Sequence, residues 1–227
     1  MTLSLSLVVA TANRAKLAEI RALLAGLPVE VLSAQEALGD AKPPIVTEGA
    51  SFEEAALAKA RAYAEATLMI TVADAAGLEV DALGGRPGVR SARFAREGAT
   101  DAENNAELLR RLDDGDDEGR RARFRAAFAL VDPWWPHDPR VVAGRCDGRV
   151  ARKPSGAGGF GYEPLFLVEG EDRTLAELTA EERRAVSHRE QALEALRPHL
   201  VRLVESRLDD AVAIAQGTFE APPSRRG

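Results

Sequence analysis

The chain has 227 residues, 45% of them hydrophobic and only 5% aromatic, so it can bury one sizeable core, and that core is aliphatic. A net charge of −6 with no basic stripe argues against tight duplex DNA or RNA binding, and no apolar run approaches the ~20 residues of a membrane-spanning helix. One cysteine, Cys146, leaves no intrachain disulfide framework. No basic segment precedes the short apolar run at 3–10, so the expectation is a cytoplasmic protein without a signal peptide.

Residues 3–10 read as a buried strand, and Thr11, Ala12 and Asn13 as a turn. Leu17, Ile20, Leu23, Leu24 and Leu27 recur at helical spacing, which predicts an amphipathic helix over 14–25 ended by Pro28, with a short strand at 29–32. Residues 39–50 carry Gly and Pro-Pro and read as a loop. Ser51 with Glu54 is a capping-box pattern that opens a helix to about 66. Residues 68–73 form a buried strand ending on Asp74, and 78–83 a further strand closed by a Gly-rich turn at 84–88.

Thr100 with Glu103 opens a helix carrying Leu108, Leu109 and Leu112 on one side. The acidic run 113–119 reads as a solvated loop rather than a metal site. A strand is expected over 121–132, then a loop whose Trp134-Trp135 pair either packs on the surface or stacks a base. Residues 141–152 read as a hairpin around Asp147-Gly148, which places Cys146 where a strand enters a turn, as a structural thiol rather than a nucleophile. A Gly-rich loop at 154–163 leads into Leu165, Phe166 and Leu167. Thr179 with Glu182 caps a short helix, and Ser187 with Glu190 a longer one with Leu193, Leu196, Leu200 and Leu203 as its stripe. His137 and His199 have no assignable role. The expected organisation is one two-lobed domain over 1–205 and a C-terminal extension over 206–227 with a disordered Pro/Ser/Arg-rich end.

Four places could carry chemistry. In Thr11-x-Asn13-x-x-Lys16 a helix start offers unpaired N–H groups and partial positive charge, and Lys16 adds a point charge, which together suit phosphate. The alternative is a plain helix cap. Asp74 at a strand's carboxyl end suits a cation or a water, and Glu48 is a second candidate ligand; both could equally be turn or loop acids. The run from Gly159 through Phe160, Gly161, Tyr162 and Glu163 can form one wall of a base pocket. His188 and Arg189 sit in the first turn of a capped helix, where Arg189 could meet phosphate or a base carbonyl in forked geometry.

The order and spacing of these blocks resemble the Ham1, or inosine triphosphate pyrophosphatase, family from about residue 7 to 200. The matching runs are 11–16, 48–54, Ala73-Asp74 with 77–81, 85–94, Asn104-Asn105, 159–164 and 187–189. The resemblance implies an α/β fold: an elongated mixed sheet flanked by helices, in two lobes around a central nucleotide cleft. It implies a homodimer that uses Mg²⁺ to hydrolyse ITP, dITP and XTP to the monophosphate and pyrophosphate, cleansing the nucleotide pool. It places Thr11, Ala12, Asn13, Arg14, Ala15 and Lys16 on the phosphates. Phe160, Gly161, Tyr162 and Glu163 would line the base pocket, with His188 and Arg189 on the base and Glu48 on the metal.

The chain departs from the family pattern at its expected centre. Where the family reads Ala-Asp-Asp-Ser-Gly-Leu, this chain has Ala75 and Ala76 in place of the second Asp and the Ser. The Asp is the family's proposed base and metal ligand, and the Ser a substrate contact. Ala55 replaces a usual Asn, Arg183-Arg184 a Lys-Asn pair, and Glu163 an Asp. Ala75 can neither bind a cation nor accept a proton, and losing a general base costs roughly 10²–10⁴ in rate. Three outcomes stay open: hydrolysis that is weak or rewired through Asp74, Glu48 and Lys16, a nucleotide-binding pseudoenzyme, or an altered sequence of an active parent.

Overall fold

The computed structural model describes residues 5–11, 14–46, 49–112, 118–135 and 137–218. Six strands form one open sheet in the order β2-β1-β3-β4-β5-β6. The first three, β1 (Leu5–Val9), β2 (Val29–Ser33) and β3 (Ile70–Val80), run parallel; β4 (Arg121–Val131), β5 (Arg140–Val150) and β6 (Phe166–Val168) continue antiparallel from β3. The sheet is therefore mixed, with helices on both faces, as the resemblance implied.

Alternation along β3 explains the layering. Ile70 and Val72 face α1 (Arg14–Leu23) and α6 (His188–Gln216), in a core that also holds Leu7, Ile20, Phe128, Leu196 and Leu200. Ala73 faces α3 (Phe52–Thr67), whose buried stripe Phe52, Ala56, Ala60 and Ala64 meets Ala127 and Ala129. Alanine against alanine lets this helix lie close to the sheet. The second lobe has its own core, where Leu78, Val80, Phe124 and Val150 meet Leu108 and Leu112 of α4 (Asp101–Arg111) and its C-terminal turn.

The caps follow the sequence with one adjustment. Thr100 and Thr179 form reciprocal capping boxes at α4 and at α5 (Ala180–Ala185). Ser51 and Ser187 accept from the N3 backbone, but the Glu54 carboxylate reaches the N–H of Ala50 instead of the cap's own. A short α2 (Ala34–Leu38), capped reciprocally by Ser33 and Glu36, was not anticipated. Its five residues are too few to show a period.

Two expectations about the strands are corrected. Residues 68–83 were read as two strands, yet β3 runs unbroken through Asp74, Ala75, Ala76 and Gly77, because β4 pairs with it residue for residue from Thr71 to Val80. Likewise no hairpin turns at Asp147-Gly148: β5 passes straight through them. Gly148 serves a close approach, since a Cβ there would sit 2.1 Å from the carbonyl of Leu167 on β6. Cys146 consequently lies within a strand, buried, and burial pushes its thiol up to about 11, which suits a packed residue.

Candidate functional site

The parallel part of the sheet stops early. β1 pairs with β3 only from Leu7 to Val9, and Ala10 donates its N–H to the carbonyl of Val72. Asp74 therefore sits two residues beyond the end of its parallel neighbour, mid-strand rather than at the strand's end as expected. A crevice outside the carboxyl ends of parallel strands is where open α/β sheets gather ligands.

Asp74 is buried, at 6% exposure, and holds two cations. Lys16, on the first turn of α1, hydrogen-bonds Oδ2. Lys59, on α3, donates to the Asp74 carbonyl at 2.7 Å and lies 3.6 Å from Oδ1. Burial works to raise the Asp74 carboxyl, but Lys16 and Lys59 more than offset it and keep the group below its ordinary value, ionised. Burial lowers Lys59, with Asp74 opposing. Lys59 was missed in the sequence. Its signal was faint: a lysine one turn from Ala56 and beside Ala60, on the helix stripe that packs against the sheet.

Position 75 opens the other way. Ala75 packs on the α3 side of the sheet with Phe52 and Ala56, whereas Ala76 lies on the α1/α6 side. Asp74 and Ala75 thus belong to opposite faces, so the Asp74 carboxylate does not fill the place vacated at 75.

A cavity of about 570 Å³ opens between the Gly-rich loop and the α5–α6 corner. Phe160, Glu163, Arg183, His188 and Arg189 line it together. The Arg189 guanidinium lies 4.6 Å over the Phe160 ring, and Arg183 is 3.4 Å from Glu163 Oε2. Burial raises the Glu163 carboxyl, with Arg183 and Arg189 opposing. His188 stacks on Phe124 at 5.1 Å, and burial, with Arg189 and Lys16, pushes its imidazole down to about 3, so it is neutral. His188 Nε2 and Arg189 Nε are buried without a protein partner. Such atoms are costly to leave unpaired. The two places sense each other electrically: Arg189 lowers the Asp74 carboxyl, and Lys16 lowers the His188 imidazole.

Other expected residues are placed differently. Tyr162, read as pocket lining, is instead 4% exposed in the second-lobe core, its hydroxyl donating to Ser91 O at 2.8 Å. A tyrosine surrounded by Leu, Val and Phe needs that one acceptor, and Ser91 supplies it. Gly161 contributes backbone held by α4. Ala76 packs half-buried against the α1/α6 core. Thr11 lies two residues past β1, its N–H on the carbonyl of Val9 at 2.8 Å, and Arg14 and Ala15 begin α1. Ala12, Asn13 and Glu48 lie outside the described residues, as does most of the acidic loop. Trp135 packs under Arg207 at 3.8 Å, which favours the surface-packing reading of that pair.

For Mg²⁺, implied by the resemblance, no three His, Cys, Asp or Glu side chains converge among the described residues, Asp74 has two ammonium partners, and Glu48 lies outside those residues. Magnesium usually keeps several waters and rides on substrate phosphates beside one or two carboxylates.

The open mixed sheet flanked by helices, with a lysine pair on Asp74 and a cationic pocket at the head of α6, defines an α/β protein. The family follows from comparison: the Ham1 family model matches residues 7–199, and the chain belongs to that family. It is 48% identical to the dITP/XTP pyrophosphatase of Mycobacterium tuberculosis over 88% of this chain and 97% of that one. Its fold matches a HAM1 protein from Coxiella burnetii with a TM-score of 0.79 at 39% identity, over 87% of this chain and 99% of the other. A nucleoside-triphosphatase / dITP/XTP pyrophosphatase from Mycobacterium abscessus matches with a TM-score of 0.72 at 47% identity, over 85% and 98%.

Proposed function

We propose that this chain is a nucleoside triphosphate pyrophosphatase that hydrolyses dITP, ITP and XTP to the monophosphate and pyrophosphate, a nucleotide-pool cleansing activity. The observation that carries this reading is the pairing of two unlike subsites: a lysine seat at the end of the parallel strands, and a pocket lined by Phe160, with Arg189 stacked on its ring, and by Glu163, Arg183 and His188. The seat suits a polyphosphate, and the pocket suits a base.

The chemistry of each part follows from its charge. Lys16 and Lys59 would neutralise phosphate oxygens and stabilise the charge that develops as the α–β bond breaks. Arg183 and Arg189 offer donors to a carbonyl at the purine 6-position, and an adenine amino group would leave those donors facing another donor. Asp74, ion-paired with Lys16, would be the carboxylate at the phosphate seat. Magnesium would arrive on the triphosphate as part of the substrate. A homodimer, a cytoplasmic setting and a single-domain organisation belong to the same proposal.

A second reading, nucleotide binding with little or no turnover, is favoured by one observation. The acid expected at 75 is missing from its face of the sheet, and Asp74 opens to the other. The two readings separate in one assay of pyrophosphate release from ITP, XTP, dITP and ATP with Mg²⁺. Turnover of the 6-oxo purines in preference to ATP, abolished by Asp74→Ala, supports hydrolysis. Tight ITP binding without release, with release gained by at least about 100-fold in Ala75→Asp, supports the second reading. No binding of any purine triphosphate overturns both.

A further inference from the structure

We infer that Asp101 and Asn105 of α4 are positioning residues that fix the aromatic wall of the base pocket by gripping the Gly161 backbone from both sides. The inference rests on the nucleotide-site reading above and assigns to it two residues outside the pocket.

Asp101 Oδ2 accepts from the Gly161 N–H at 2.7 Å, and Asn105 Nδ2 donates to the Gly161 carbonyl at 2.9 Å. The two side chains are four residues apart, so they rise from one face of α4 one turn apart. The N–H belongs to the peptide joining Phe160 to Gly161, and the carbonyl to the peptide joining Gly161 to Tyr162. Holding both fixes the planes on either side of a residue with φ of 61°, where glycine would otherwise be the freest point of the loop. On one side Tyr162 turns into the core. On the other Phe160 stands half exposed, at 50%, with Arg189 over its ring.

α4 is a firm base for this grip. Its N-terminus is capped reciprocally, Leu108 is fully buried, and buried Asn104 bonds the backbone of Ala92 and Ala95. Asn105 bears a cost for its part: its Oδ1 is buried with no partner.

The test compares ITP with inorganic tripolyphosphate, which carries the phosphates without a base, by titration calorimetry on the full chain. Asn105→Ala and Asp101→Ala should each weaken ITP by about three- to tenfold, the worth of one hydrogen bond, and leave tripolyphosphate unchanged. Asp101→Asn keeps an acceptor for the Gly161 N–H and should restore ITP binding. In a Phe160→Ala background, Asn105→Ala should add no further loss. Equal weakening of both ligands, no change in either, or full additivity with Phe160→Ala would overturn the inference. Wild-type chain that binds tripolyphosphate but not ITP would discard the base pocket itself, and the positioning role with it.

Discussion

Asp74 is held by two lysines on two different helices, so one carboxylate offsets part of the seat's positive charge before any ligand arrives. A polyphosphate must compete with one carboxylate for Lys16 and Lys59. Lys16→Ala removes a charge from that competition, and both ITP and tripolyphosphate should bind at least about 30-fold more weakly by calorimetry. At His188 the prediction concerns pH. Its folded value of about 3 lies below the ordinary 6.5, so the unfolded chain binds more protons between those limits. Stability from this group is therefore full above about pH 6.5 and falls as the pH drops toward 3. His188→Phe keeps the stack on Phe124 and removes the titration. Its urea midpoint should fall less than that of the wild type between pH 6.5 and 4, and parallel curves would refute the assignment.

The elements matter because they bring these side chains from distant stretches of sequence to one crevice. Gly144 of β5 shows how closely. A Cβ there would lie 2.0 Å from the His188 carbonyl and 2.8 Å from the Ala192 nitrogen, so the head of α6 rests directly on the strand. Gly144→Ala must displace that helix start. A loss of about 1–3 kcal/mol is expected in denaturant unfolding, with ITP binding weakened because His188 and Arg189 move together. Capping patterns and leucine periods located the helices well, since both are local. Strand limits were harder. Asp74 to Gly77 looks like a break because Asp and Gly are poor strand formers, and Asp147-Gly148 looks like a hairpin turn. Both stretches stay extended because a neighbouring strand, far away in sequence, supplies the hydrogen bonds.

Across the whole molecule, one long helix ties chain end to sheet. α6 runs 29 residues without a break past 205, and Arg207 pairs with buried Asp132 at the end of β4 while stacking on Trp135. Arg207→Ala would leave the Asp132 carboxylate buried without its cation, and a loss of about 3 kcal/mol is expected from the urea midpoint. The sequence by itself determined the mixed α/β class, most of the helices, the Ham1 family and the identity of Lys16, Asp74, Glu163, His188 and Arg189 as residues to watch. Those features rest on local spacing and residue chemistry, which a single chain displays. Only the tertiary structure decided that Lys59 joins Asp74, that Tyr162 belongs to the core, that Ala75 faces away from Asp74, and that α4 holds Gly161. Each of these depends on which face of a strand or helix meets which partner, and that is fixed by packing between segments dozens of residues apart.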